Sequence, residues 1–395
     1  MEDPAEQYYN EGIDFAKLGR HSDELASYDK AITVNPNHAE AWNNRGTVLG
    51  RLNQHEDALN SFDKAIAIKP DYAEAWYNRG LALSKFDRHT EALASYDKVI
   101  VINPNIAKAW FNRGVVLNKF GRHSEAVTSF DKAIAIKPDS AKAWFNRGIV
   151  LDNIGQHSEA VASFNKAISI NPNHADAWYN RGCALDDLGR YAEAVDSWDK
   201  AVAINPNIAD AWNLRGFVLH KIGRHADAIK SYDKAVAINP NDTEMWYNRG
   251  VVLVNTGQHS EAVNSFDKVL NINPDFDVVW VARGNALSRL ERYAEAIASF
   301  DKAIAINPKH PKSWYNRGVA LSGLGQHEEA VEAYDKAIAI NPNHPEVWNN
   351  KGIALEELGK IQEAIGSYEM FIELALPQDA SRVEKVKLII NQLRQ

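Results

Sequence analysis

Eight histidines recur at a single register: His21, His55, His89, His123, His157, His225, His259 and His327. An imidazole can ligate a metal or carry a proton near neutral pH, so this column is the first place to look for chemistry. One ring per 34 residues, however, sets neighbouring rings a helix pair apart, whereas one ion needs every ligand atom within about 2.1 Å of it. The column therefore reads as packing at a helix junction, a place that Tyr191 and Tyr293 fill in other copies. Cys183 is the single cysteine, which excludes a disulfide framework and a cysteine-based zinc site. Val115, Ile149 and Val251 hold its position elsewhere, so it reads as structural. No G-x-S-x-G, P-loop or H-E-x-x-H occurs. Near-identical copies would also build any nucleophile–base–acid set many times over. The sequence points to no catalytic residue, no metal and no cofactor, hence to a protein that is not an enzyme.

Asparagine is the more informative polar column. Asn10, Asn44, Asn78, Asn112, Asn146, Asn180, Asn248, Asn316 and Asn350 share one register, broken at Leu214 and Ala282. Asn is a poor residue for the middle of a helix, so its recurrence asks for a reason. Each carboxamide offers donors and an acceptor. A column of them can clamp the backbone of an extended peptide, or bond the adjacent copy and set the twist between copies.

The elements that position these columns follow from the segment Ala39–Tyr72, of which the chain is largely a repetition at 34 residues. Strict spacing without insertions marks a solenoid, whose units are too small to bury an apolar face alone. Counting Ala39 as position 1, Trp holds position 4 in ten copies and Gly holds position 8 in eleven. A first helix runs from Ala39 to about Leu52, with Asn or Asp at position 33 of the preceding copy expected as its N-cap and a Gly just beyond its end as C-cap. A second helix carries Ala58, Phe62, Ala65 and Ile66 and stops at Asn-Pro or Lys-Pro. Gly46, Ala58 and Ala65 let the two axes approach while Trp42, Leu49 and Phe62 fill the core around them.

Trp at 4, Gly at 8, Ala at 20, Tyr or Phe at 24, Ala at 27 and Pro at 32, in a 34-residue unit, resemble the tetratricopeptide repeat over nearly the whole chain. Arg at position 7 (Arg45, Arg79, Arg113) departs from that family's usual Leu. The expected fold is all-α, a solenoid of eleven helix-turn-helix repeats in a right-handed superhelix with a C-terminal capping helix. Repeats are expected to start at 5, 39, 73, 107, 141, 175, 209, 243, 277, 311 and 345 and to fill 5–378, after a leader at 1–4 and before a capping helix at 379–395. In the first copy, Glu24 replaces Ala and suits a solvent-facing end. The resemblance implies that positions 2, 5, 6, 9, 12 and 13 of the first helices face a concave groove. The Asn column then becomes a ladder similar to the one inside the superhelix of O-linked N-acetylglucosamine transferase. Beside it, Tyr77, Phe111, Phe145, Tyr179 and Tyr247 would offer contact area at position 5. Lys85 and Lys119, with Lys17 and Arg51, make a basic column in the first four copies, whereas Asp152, Asp176, Asp186, Asp187 and Asp210 crowd the middle. An extended ligand would be steered best with acidic residues against the first copies. Position 7 Arg and position 25 Asp are expected to pair between helices, the last copy keeping the signs as Lys351 and Glu369.

The net charge of −8 argues against a general nucleic-acid binder, which needs a basic surface. The N-terminus lacks the apolar core of a signal peptide and no run is long enough to span a membrane, so the simplest compartment is the cytoplasm. The expected function is a protein–protein interaction scaffold binding an extended peptide or partner protein in the groove. A targeting module of a larger enzyme or signalling protein, or a self-associating scaffold, are the alternatives.

Overall fold

The computed structural model describes residues 3–395. Among them are 23 α-helices, one short 3-10 turn and no strand. The helices come in pairs, such as Ala39–Arg51 with His55–Ile68 and Ala141–Asn153 with His157–Ile170, and the last helix, Ala380–Leu393, stands alone. Contacts divide the chain into two compact units, Met1–Ile204 with six pairs and Asn205–Gln395 with five pairs and the last helix. Within each unit a helix packs first on its own pair-mate and next on the first helix that follows.

The pair closes because position 8 is glycine. A Cβ on Gly46 would lie 2.7 Å from Phe62 and one on Gly148 2.6 Å from Phe164. Those rings and their equivalents, including Trp198 in the sixth copy, are almost wholly buried. The turn after each first helix needs a left-handed residue, which Gly supplies at Gly121, Gly155 and Gly189 (φ 70°, 77° and 71°). Where Gly is missing, Asn53, Asp87 and Glu291 adopt the same conformation at φ 61°, 56° and 59°.

Three sequence expectations are corrected, and a fourth, the pairing of the Arg and Asp columns, holds with a different choice of copy. The N-cap sits at position 34 rather than 33: His38, Ser140, His174 and Asp242 accept from backbone N–H groups of the helices they precede. Position 33 lies in the turn, where its N–H donates to the Asn of position 31, as Asn37 does to Asn35 Oδ1 (3.1 Å). The tryptophan column is half-buried rather than core. Each indole N–H instead donates to the proline carbonyl six residues back, from Trp42 to Pro36 (2.9 Å) through Trp348 to Pro342 (2.9 Å), and a position 7 cation lies over the ring in most copies, for example Arg79 at 5.9 Å from the Trp76 centroid and Lys351 at 5.5 Å from that of Trp348. The Arg column does pair with the Asp column, but with the preceding copy: Arg45 Nε meets Asp29 and Arg79 Nε meets Asp63, both at 2.7 Å. The second arm of the guanidinium reaches its own copy's buried serine where one is present, as Arg147 Nη1 does Ser163 (2.7 Å); the copy of Arg317 carries Ala333 there. In the last copy Lys351 accordingly meets Asp335 (2.6 Å), and Glu369 pairs with Arg394 of the final helix (2.6 Å). Finally, Glu24 is 2% exposed, its carboxylate held by Arg51 at 3.3 Å and His21 at 3.0 Å.

At the C-terminus, Val386 and Ile390 bury against Tyr368 and Phe371, while Leu388 on the far side of the same helix is exposed. No helix among the described residues is long and apolar enough to cross a membrane.

Candidate functional site

Successive first helices touch one another, as Ala39–Arg51 does Ala73–Lys85, whereas no contact of comparable extent joins successive second helices among the described residues. The first helices thus form the more crowded face within each unit. Positions 5, 6, 9, 12 and 13 lie along it.

The position 5 aromatics lean on their own second helix. Ring centroids of Tyr77 and Tyr96 are 6.1 Å apart, Phe111 and Phe130 5.7 Å, Phe145 and Phe164 6.0 Å, and Tyr247 and Phe266 6.1 Å. They are half-buried, as is Tyr179. Tilted pairs at this separation suit the aromatic quadrupole, so these side chains spend one face on packing and keep only an edge for solvent.

The asparagines follow from what precedes them. Where the preceding copy offers a polar atom at position 5, the carboxamide N–H donates across the junction: Asn44 to the Tyr9 hydroxyl (3.3 Å), Asn78 to Asn43 Oδ1 (3.0 Å), Asn112 to the Tyr77 hydroxyl (3.1 Å) and Asn350 to the Tyr315 hydroxyl (3.1 Å). Asn248 reaches Asn213 more weakly at 3.5 Å. Where position 5 is Phe111 or Phe145, which offer nothing, Asn146 and Asn180 turn back to their own helix at Lys142 O and Asp176 O (both 2.8 Å). Asn316, facing Val281, bonds Asn285 (2.8 Å) instead. Asn10 in the first copy is exposed. The Asn column is therefore wired mainly between copies, and what it offers a ligand is chiefly carboxamide oxygen.

Three clefts follow one another along the first-helix face of the N-terminal unit, one per junction. The first, about 400 Å³, lies between Lys17 and Arg51 over Ile13, Ala16 and Thr47. The second, about 230 Å³, lies between Arg51 and Lys85 over Leu81, Ala82 and Phe86. The third, about 190 Å³, lies between Lys85 and Lys119 over Leu81, Val115 and Val116. Asn44, Asn78 and Asn112 stand at their edges in turn. All four cations are exposed. Lys17 is paired with Asp14 (2.8 Å), Arg51 with Glu24, and Lys119 Nζ lies 3.5 Å from His89 Nε2. The sequence marks the cation column but not the clefts; their signal was the small or apolar residue at position 9 (Thr47, Leu81, Val115) next to that column.

The face changes further along. Asp152 receives His157 Nδ1 at 2.8 Å. Burial pushes the Cys183 thiol up to about 11, against a hydrogen bond from Tyr179 that pulls it down. In the C-terminal unit, Phe217 and Val278 are exposed, Val281 is buried, and an apolar cleft of about 400 Å³ opens beside Tyr247, Phe276 and Val278.

Tetratricopeptide repeat family models match residues 27–60, 73–106, 107–140, 141–174, 179–243, 219–284, 281–345 and 333–366, and a TPR repeat model matches 51–85. No curated protein matches the chain. Among solved structures, the C-terminal part of a TPR repeat-containing protein from Cytophaga hutchinsonii is 18% identical over 61% of this chain and 98% of its own, with a TM-score of 0.53. YrrB, described as a TPR protein with an unusual peptide-binding site, is 28% identical over 47% of this chain and 95% of its own (TM-score 0.44). Yeast Tom70 is 15% identical over 99% of this chain and 95% of its own (TM-score 0.39). With the 34-residue helix pairs, the glycine–aromatic closure at positions 8 and 24, and family matches from residue 27 to residue 366, the chain belongs to the tetratricopeptide repeat family.

Proposed function

We propose that this protein binds an extended, acidic segment of a partner protein along the first helices of its first four copies. As a tetratricopeptide repeat array it is a protein-interaction scaffold; the proposal concerns where and what it binds. The observation that carries the reading is the row of three clefts at repeat spacing, each with an apolar floor, a cation at either side and a carboxamide at the edge. A ligand with carboxylates separated by apolar side chains would place the former against Lys85, Lys119 and Arg51 and the latter on the cleft floors. The chain already contains one such contact, since Glu24 lines the first cleft and holds Arg51 with its own carboxylate. Asn78 and Asn112 would accept from the peptide's backbone N–H groups. Tyr77 and Phe111 would contribute ring edges. A cytoplasmic setting agrees with the sequence and is part of the proposal.

The test is fluorescence anisotropy with two labelled peptides of equal length, one alternating Glu and Leu, the other Lys and Leu. The wild-type chain should take the acidic peptide in a salt-sensitive manner and Lys85→Glu/Lys119→Glu should reject it. Equal affinity for both peptides, or an acidic-peptide affinity that survives the double charge reversal, would refute the reading.

A further inference from the structure

Positions 12 and 17 of one copy and position 13 of the next meet at several junctions. The geometry is visible where His89 reaches Lys119 across the third junction, and where Asn118 Oδ1 and His123 Nδ1 meet at 3.0 Å in the fourth copy. What the three positions carry differs. The first three junctions present His21, His55 or His89 with Arg51, Lys85 or Lys119, a cation that repels any metal. The fourth carries Asn118, His123 and Asn153, and the seventh His220, His225 and Asn255. At the fifth junction all three positions hold ligating groups: Asp152, His157 and Asp187.

We propose that Asp152, His157 and Asp187 form a divalent transition-metal site that ties the fifth copy to the sixth. His157 Nδ1 lies 2.8 Å from Asp152 Oδ1 and 3.7 Å from Asp187 Oδ2, and one ligand atom from each residue falls within 4.8 Å of the other two. Two ligands on a tetrahedral zinc at about 2.1 Å stand roughly 3.4 Å apart, so small rotamer changes close the triangle. The His column as a whole cannot share an ion, because its rings sit on different copies; one His with carboxylates from the neighbouring helix ends can. The three residues come from three elements, the last turn of Ala141–Asn153, the first residue of His157–Ile170 and the last residue of Ala175–Asp187. One imidazole and two carboxylates make a donor set for zinc or cobalt rather than for magnesium or calcium, which take six or more oxygens. Three protein ligands leave at least one position for water or for a side chain of a bound partner. Metal binding at Nδ1 would replace the hydrogen bond now joining His157 to Asp152.

The test is a cobalt(II) titration of the full chain read by visible absorption, with zinc(II) calorimetry in parallel. Each variant copies a residue the array already carries at that position, so folding is preserved: Asp152→Asn as at Asn118, His157→Tyr as at Tyr191, and Asp187→Asn as at Asn153. The wild type should bind one equivalent with the intense visible bands of a low-coordinate cobalt site, and each variant should lose at least about tenfold in affinity. His225→Tyr is the control for the His220–His225 imidazole pair of the seventh junction and should bind as the wild type does. No saturable binding by the wild type, binding unchanged in the three variants, or loss only in His225→Tyr would each overturn the proposal.

Discussion

Two glycines in the same unit should answer alanine differently. At Gly250 an added Cβ would lie 2.5 Å from Phe266 Cε1 and 2.9 Å from Cζ; at Gly216 the nearest atoms of Tyr232 are at 3.0 and 3.1 Å. Both glycines are in mid-helix, where alanine is favoured by about 0.8–1.0 kcal/mol. At Gly250 the gain is opposed by overpacking, because a contact of 2.5 Å to a buried ring cannot be relieved by a shift of a few tenths of an ångström, which costs about 1–3 kcal/mol. Gly250→Ala should therefore lose up to about 2 kcal/mol, whereas Gly216→Ala, which asks Tyr232 to yield a few tenths of an ångström, should be neutral or gain up to about 1 kcal/mol. Because a repeat array is a sum of copies and junctions rather than a strict two-state system, the assay should pair urea unfolding by circular dichroism with amide exchange over Thr243–Asn255 and Ala209–Lys221. Equal losses in the two variants, or a Gly250→Ala chain more stable than the parent, would refute the close-approach argument.

Burial pushes the Tyr28 and Tyr96 phenols up to about 12 from the ordinary 10.0. The unfolded chain releases these protons first as pH rises, so their contribution is complete below pH 10 and is lost between pH 10 and 12; ring NMR signals assigned to Tyr28 or Tyr96 that moved to the tyrosinate form near pH 10 while helicity persists would contradict this. Glu24→Ala, which gives the first copy the residue found at position 20 elsewhere, should free Arg51 and tighten binding of the acidic peptide; weaker binding would count against the cleft reading. Cys183, with its thiol pushed up to about 11, should react with a disulfide reagent at pH 8 far more slowly in the native chain than in urea, and equal rates would show that the site is open.

Much of the fold was legible because packing is local and repeated. Glycine at 8, the ring at 24 and alanine at 20 constrain one another within a single copy, and one copy's sequence states all three. What crosses a junction was not legible. Arg45 lies 16 residues from Asp29 and 18 from Asp63, and a repeating sequence gives no reason to choose the former; only the packing of one first helix on the preceding second helix does. The Asn column shows the same dependence, since its partner is set by whether the previous copy carries a hydroxyl, a carboxamide or a bare ring at position 5. Glu24 was misplaced for a related reason. A carboxylate in an alanine position looks solvent-facing until Arg51, one copy later, is seen to cover it. The cleft row and the Asp152–His157–Asp187 convergence are likewise properties of junctions rather than of copies.

The hydrogen bond from each tryptophan to the proline six residues earlier bears on how the molecule is made. A ribosome delivers the loop before it delivers the indole that holds it, and the Asp of one copy before the Arg that pairs with it. Each copy thus leaves the exit tunnel with its trailing loop unlatched and is fastened when the next first turn follows. Stalled nascent chains give a direct view. With the tunnel cleared, a chain ending at Ala177 should be cut by protease in its last loop, residues 171–174, and one extended past Trp178 should resist there, with Trp178→Phe restoring the cut because an aromatic ring remains and only the N–H donor to Pro172 is gone.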